Sequence, residues 1–180
     1  MASAHGRFQP LHNGHMEYLL TAKSRCDFLW IGITAPDPTD LRRYRDTSRE
    51  KAENNPLSYF ERVGIITDAF VDAGVPRNEF GVVPFPIETP EHLVNYLPTS
   101  VPCLTTIYDD WNRQKIAALT RLGYRVEVLY ERSTKEISGA SIRAEILRGS
   151  DQWTPLVPRA TVRGVRDYDV AGRLRRLVAP

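Results

Sequence analysis

Apolar residues along the chain follow two alternating patterns: short runs in which nearly every position is hydrophobic, and longer stretches in which they recur every three or four residues. The first pattern suits strands covered on both faces, and the second suits helices buried along one side. Phe28-Leu29-Trp30-Ile31-Gly32-Ile33 is the plainest strand, and Phe80 to Phe85, Leu104 to Tyr108 and Tyr124 to Tyr130 read the same way. A shorter opening strand is expected to reach Phe8. Helical spacing predicts His15 to Lys23, through Met16, Leu19 and Leu20. It also predicts Leu57 to Ala73, with Phe60, Val63, Ile66, Phe70 and Val71 on the buried side and Gly74 closing the helix. Further helices are expected at Pro90 to Leu97 (with Thr89 as cap), Trp111 to Leu122, Ser141 to Leu147 and Ala160 to Leu177, the last interrupted by Gly164 and Gly172. This rhythm predicts an α/β fold: a Rossmann-like, doubly wound, five-stranded parallel sheet with helices on both faces and a C-terminal helix. Residues 1–160 would form the domain and 161–180 its helical extension. Ligands of such sheets sit outside the carboxyl ends of the strands, so the loops after Phe8, Ile33, Phe85, Tyr108 and Tyr130 should line one site.

Composition changes this picture little. Of the 180 residues, 42 % are hydrophobic and 26 % charged, as in an ordinary folded domain. The formal charge of +2 is too small to argue for nucleic acid or a membrane. The arginine-rich C-terminal stretch lacks interleaved aromatics beyond Tyr168, so it predicts packing on the sheet or on a second subunit rather than RNA binding. Cys26 and Cys103 have no metal or disulfide spacing and read as buried thiols. Met1 to Arg7 lacks the regions of a signal peptide, and no apolar run approaches the roughly 18 residues of a membrane span. A cytoplasmic protein is expected.

Two segments carry chemistry. Gly6-Arg7-Phe8-Gln9-Pro10-Leu11-His12-Asn13-Gly14-His15 runs from the first strand into a helix start. Two imidazoles three residues apart, beside the unpaired N–H groups of a helix N-terminus, attract phosphate, and Gly14 lets the backbone come close to it. Ile137-Ser138-Gly139-Ala140-Ser141-Ile142-Arg143 opens a later helix. Ser138 or Ser141 can cap it, and Arg143 in its first turn can fork onto phosphate oxygens.

Together these segments resemble the nucleotidylyltransferase superfamily that carries H-x-G-H and I-S-G/S-T-x-x-R motifs. The Gly-Arg-Phe-Gln-Pro opening is similar to the archaeal-type nicotinamide mononucleotide adenylyltransferases. Asn55 to Arg62 is similar to that group's N-P-F-T-x-x-E-R segment, and Leu156-Val157-Pro158 to its L-V-P. The resemblance implies in-line attack by an acceptor phosphate on the α-phosphorus of an NTP, with pyrophosphate released and no covalent enzyme intermediate. It implies that His12 and His15 hold the α- and β-phosphates, that Arg7 contacts phosphate from the first loop, and that Ser138, Gly139 and Arg143 bind the β- and γ-phosphates. Gly6, Phe8, Gln9, Gly14, Ile137 and Ser141 would complete the nucleotide site. Mg²⁺ is expected to accompany the triphosphate, held mostly by phosphate oxygens and water, and the resemblance also implies a homo-oligomer.

Departures from the pattern bear on substrate. Ala140 stands where the family has Thr. The polar stretch Thr34 to Asn54 is longer than in the archaeal-type enzymes and carries Arg42, Arg43, Arg45 and Arg49, a surface insertion or a lid. At Asp109-Asp110-Trp111 the family tends to have a glycine-containing turn; Asp109 would accept from ribose hydroxyls or approach Mg²⁺ through water, Asp110 would do the same or cap the next helix, and Trp111 would stack on a base or pack. The family's tryptophan that stacks on nicotinamide falls near Leu93, with His92 and Tyr96 as substitutes. Thr34, Arg62, His92, Leu93, Tyr96 and Trp111 are accordingly the expected acceptor residues. Three readings follow: an adenylyltransferase using ATP and nicotinamide mononucleotide or an analogue, favoured by the opening motif; a cytidylyltransferase using CTP and a small phosphate or phosphonate; and a non-catalytic nucleotide sensor.

Overall fold

The computed structural model describes residues 1–37, 51–134 and 136–179. The expectation of a lid built on Arg42, Arg43, Arg45 and Arg49 lies outside the described residues. Five strands, β1 (Ala2–Gly6), β2 (Leu29–Ile33), β3 (Phe80–Pro84), β4 (Cys103–Ile107) and β5 (Val126–Glu131), form one parallel sheet in the order β3-β2-β1-β4-β5. The chain winds from β1 outward to β3, then returns to the other side of β1, which puts the topological switch point between β1 and β4. Among the described residues six α-helices surround the sheet: α1 (Asn13–Lys23), α2 (Tyr59–Asp72), α3 (Asp110–Arg121), α4 (Gly139–Arg148), α5 (Arg159–Asp167) and α6 (Val170–Val178).

The main core joins Ile31, Ile33 and Phe80 of the sheet to Leu19 of α1, Ile66 and Phe70 of α2 and Ile142 of α4. A second cluster (Phe85, Leu93, Leu97, Cys103, Leu119 and Tyr124) fills the other face. Central strands are therefore covered on both sides, which is why they read as unbroken apolar runs. Trp30 lies against Gly81 and Phe85 against Gly32, where an added Cβ would stand 2.4 and 2.6 Å from the rings.

Several boundaries and faces differ from expectation. Strand β1 ends at Gly6, and Phe8 instead occupies a left-handed turn (φ 52°) with its ring folded back under Gly6. In α2 the buried stripe is Arg62, Ile65, Ile66, Ala69 and Phe70, so Phe60 (80 % exposed) and Val71 (50 %) face outward. An arginine occupies a core position there, which shifts the stripe away from the one hydrophobicity alone selects. Pro90–Asn95 is a 3₁₀ segment, and Thr89 makes no capping bond to it. The single C-terminal helix is two helices. Tyr168-Asp169 breaks it, with Asp169 at φ 47° and its carboxylate accepting from Gly172 N at 3.1 Å to start α6. Gly164 is where α5 touches α2, since a Cβ there would sit 2.6 Å from Ile65. Val165, Val170 and Leu174 share the main core, and Arg173 forks onto Glu61 of α2 at 2.7 and 2.8 Å.

Candidate active site

The sheet opens at its switch point for a local reason. Strand β1 pairs with β2 along its whole length, but with β4 only at Ser3↔Cys103 and Ala4↔Leu104. Beyond Ala4 the hydroxyl of Tyr18, from α1, takes the place of the next ladder bond. It accepts the His5 N–H at 3.0 Å and donates to Leu104 O at 2.7 Å. A side chain inserted between two backbones wedges the strands apart while leaving their polar groups satisfied. A cavity of about 1010 Å³ lies over this opening, large enough for a nucleotide together with a small second substrate.

The first loop forms one wall. The Gln9–Pro10 peptide is cis. The Gln9 side chain is buried and exchanges two hydrogen bonds with the Leu57 main chain (2.7 and 2.9 Å), so it braces the loop rather than reaching toward a ligand. His12 is the N-cap of α1: its Nδ1 accepts from His15 N at 3.3 Å. A ring nitrogen that accepts carries no proton, so in the neutral ring this bond assigns the proton to Nε2. His15 stacks on His12 (centroids 3.6 Å apart) and meets the Phe8 ring edge-on at 5.0 Å. The unusual backbone at Phe8 therefore supports the second imidazole. Gly14 lies under His12, where a Cβ would come within 3.3 Å of Nδ1.

The second wall is the start of α4. Ser138 caps it, accepting from Ser141 N at 3.1 Å, while Ser141 donates its hydroxyl to Ser138 O at 2.8 Å. Arg143 is buried and donates Nη1 to Gln9 O at 2.6 Å and Nη2 to Asn54 Oδ1. Burial and then the neighbouring Arg7 push its pKa down to about 10, still cationic at neutral pH. Gly139 permits this closure, because a Cβ would lie 2.7 Å from the Gln9 carbonyl oxygen. The two motifs, more than a hundred residues apart, meet through Gln9, Gly139 and Arg143.

Of the residues predicted from sequence, Gly6, Arg7, Phe8, Gln9, His12, Gly14, His15, Ile137, Ser138, Gly139 and Arg143 all line the cavity, as do Thr34 and Trp111. The others stand elsewhere. Asp109, not Asp110, is the N-cap of α3, accepting from Asn112 N at 3.0 Å, and neither aspartate lines the cavity. Ser141 supports the cap of α4 from outside the wall. Arg62 is 1 % exposed and spends its guanidinium on the carbonyls of Arg7, Thr34 and Ala35 (2.8–3.0 Å), tying the loops after β1 and β2 together. Leu93 is fully buried in the second core cluster, and exposed His92 and Tyr96 lie off the cavity wall. The segment expected to supply an acceptor platform therefore supplies a core anchor.

Residues 3–145 match the cytidylyltransferase-like family. A phosphonoformate cytidylyltransferase of Streptomyces viridochromogenes is 41 % identical over 172 residues, covering 95 % of this chain and 93 % of the relative. A nicotinamide-nucleotide adenylyltransferase of Picrophilus torridus is 30 % identical, covering 96 % and 94 %. The chain belongs to the cytidylyltransferase-like family. As a member it is a nucleotidyltransferase, and both the opening motif and the late serine-glycine motif fall within the matched span. The fold agrees with a bifunctional NMN adenylyltransferase/ADP-ribose pyrophosphatase from Francisella tularensis, at TM-score 0.66 and 15 % identity. That alignment covers 98 % of this chain and about half, 51 %, of the other.

Among the wall residues of this family member that sequence reading missed are four buried polar ones, His5, Tyr18, Asn112 and Lys115. Their signal was a polar side chain at a position the periodicity assigns to the interior. Asn112, Lys115 and Leu119 recur at helical spacing on the buried face of α3, and His5 ends an otherwise small, apolar strand.

Proposed function

We propose that the chain transfers CMP from CTP to a small phosphonate acceptor and releases pyrophosphate. The observation that carries this reading is the convergence of His12, His15, Arg7 and Arg143 with the N-termini of α1 and α4 on one cavity. In a chain 41 % identical to a cytidylyltransferase, that convergence favours CTP. A phosphonate oxygen of the acceptor attacks the α-phosphorus of CTP. The new P–O bond forms in line as the bond to the β-phosphate oxygen breaks, and pyrophosphate leaves with the electron pair. The side chains hold the reactants and stabilise charge; none forms a covalent bond. His12 donates from Nε2 to a non-bridging α-phosphate oxygen, and its capping bond keeps that proton in place through the reaction. Arg143 and the free N–H groups of the α4 first turn take the β- and γ-phosphates, where the developing pyrophosphate charge appears. Ala140 removes a hydroxyl from that turn but leaves its backbone donors in position.

Mg²⁺ is proposed to enter with the triphosphate. The protein's donor set does not fit a metal cage: among the described residues no three His, Cys, Asp or Glu side chains cluster to hold an ion. Of the three carboxylates lining the cavity (Glu17, Glu131 and Glu136), Glu17 is forked by Arg132 and Glu131 is paired with Arg113.

An adenylyl reading with nicotinamide mononucleotide shares the same phosphate geometry and is supported by the 30 % identical relative. The burial of Leu93 weighs against it, because no aromatic ring from that segment reaches the cavity wall. Pyrophosphate release measured for four NTPs against phosphonoformate, methylphosphonate and nicotinamide mononucleotide tests the assignment. CTP with a phosphonate should give the highest kcat/KM. Turnover confined to ATP with nicotinamide mononucleotide would replace this assignment with the adenylyl one.

A further inference from the structure

His5 is the first residue of β1 past its last pairing with β4, so it stands where the sheet divides. Its ring stacks face to face on Phe85, with centroids 4.1 Å apart and planes within 5°. The residue is only 3 % exposed, and both ring nitrogens are buried with no hydrogen-bond partner among the described residues. Leaving such a group unsatisfied is costly, and a structural role as a stacking ring does not require it, since Phe would stack equally well. Lys115, itself 8 % exposed, projects from α3 into the same cavity with Nζ 5.2 Å from the centre of the Trp111 ring. Asn112, one turn earlier on that helix, spends Oδ1 on the Tyr108 N–H, which leaves its NH₂ as the donor end. Burial, and the nearby Lys115 charge, hold the His5 ring neutral with a pKa well below 6.5. A neutral imidazole offers one N–H and an ammonium offers three. This corner is thus rich in donors.

We propose that His5 and Lys115 form an acceptor subsite that binds a carboxylate carried by the phosphonate, so that the chain selects acceptors with a second anionic group. The subsite rests on the phosphonate reading above and deepens it. A carboxylate reaching this corner gains a charge-assisted bond from Lys115 and one from the His5 N–H. The reacting phosphonate stays with the α-phosphate, so the two ends of the acceptor are held by different elements. An acceptor lacking the carboxylate leaves the buried His5 N–H without a hydrogen bond and forgoes the attraction of the Lys115 charge, and this difference is what confers selectivity.

Calorimetric binding of phosphonoformate and methylphosphonate, run beside CTP-dependent pyrophosphate release with each, decides the matter. Wild type should bind phosphonoformate at least about tenfold more tightly than methylphosphonate. Lys115→Met should bring the two within about twofold, and His5→Phe, which keeps the stack on Phe85, should narrow the gap. The acceptor preference in kcat/KM should collapse in parallel while KM for CTP is unchanged. The subsite is overturned if wild type shows no preference, if the variants retain it, or if they weaken both acceptors equally. Absence of CTP turnover in wild type would instead sink the phosphonate reading, and the binding preference would still decide the subsite.

Discussion

His12 is proposed to serve two purposes with two atoms. Its Nδ1 caps α1 through His15 N, and the same bond assigns the ring N–H to Nε2, the proposed donor to phosphate. The two roles separate by substitution. Asn is among the best capping residues, so His12→Asn should keep Tm close to wild type while lowering kcat by about 10²–10³. His12→Ala should lose the same activity and, in addition, about 1 kcal/mol of stability. Thermal melts beside pyrophosphate-release kinetics check both. Equal activity in His12→Asn and wild type would reduce this histidine to a cap. These residues were readable in the sequence because their spacing from a glycine and a helix start is local. His5 and Lys115 were not, because what distinguishes them is burial without an apolar side chain, a property only the packed sheet reveals.

At the scale of elements, the strands and the central helices followed from the pattern of apolar positions, since burial on one or two faces is what that pattern records. Faces and breaks were harder. Arg62 occupies the buried stripe of α2, so its neighbours Phe60 and Val71 were placed inside when they lie outside. The break between α5 and α6 depends on a non-glycine residue, Asp169, in the left-handed region, which no periodicity signals. The Glu61–Arg173 fork then fastens α6 to the N-terminus of α2, whose capping box also uses Glu61. Hydrogen bonding from Arg173 holds the Glu61 carboxyl below its usual 4.5. A lowered acid pKa contributes stability that is complete above pH 4.5 and disappears as pH falls through the folded-state value. Arg173→Met should therefore lower Tm at pH 7, by an amount on the order of 1 kcal/mol in stability for a partly exposed pair. The gap to wild type should shrink below that range. A gap that stays constant down to pH 3 would mean the fork contributes nothing through charge.

For the molecule as a whole, the position of the cavity is a consequence of topology and one inserted side chain. Winding outward from β1 and back again leaves β1 and β4 diverging at their carboxyl ends. Tyr18 holds them apart, and Arg62 ties the loops after β1 and β2 on one side of the gap. The opening motif and the late serine-glycine motif then face each other across it, joined by Arg143 and the Gln9 carbonyl. Among the described residues no helix is long and apolar enough to cross a membrane. This gap is proposed to hold one triphosphate. A crystal structure with the α,β-methylene analogue of CTP tests it most directly. The α-phosphate should lie within about 2.7–3.2 Å of His12 Nε2, with the terminal phosphates against Arg143 and the first turn of α4. Phosphates bound elsewhere, with the two histidines and Arg143 untouched, would contradict it.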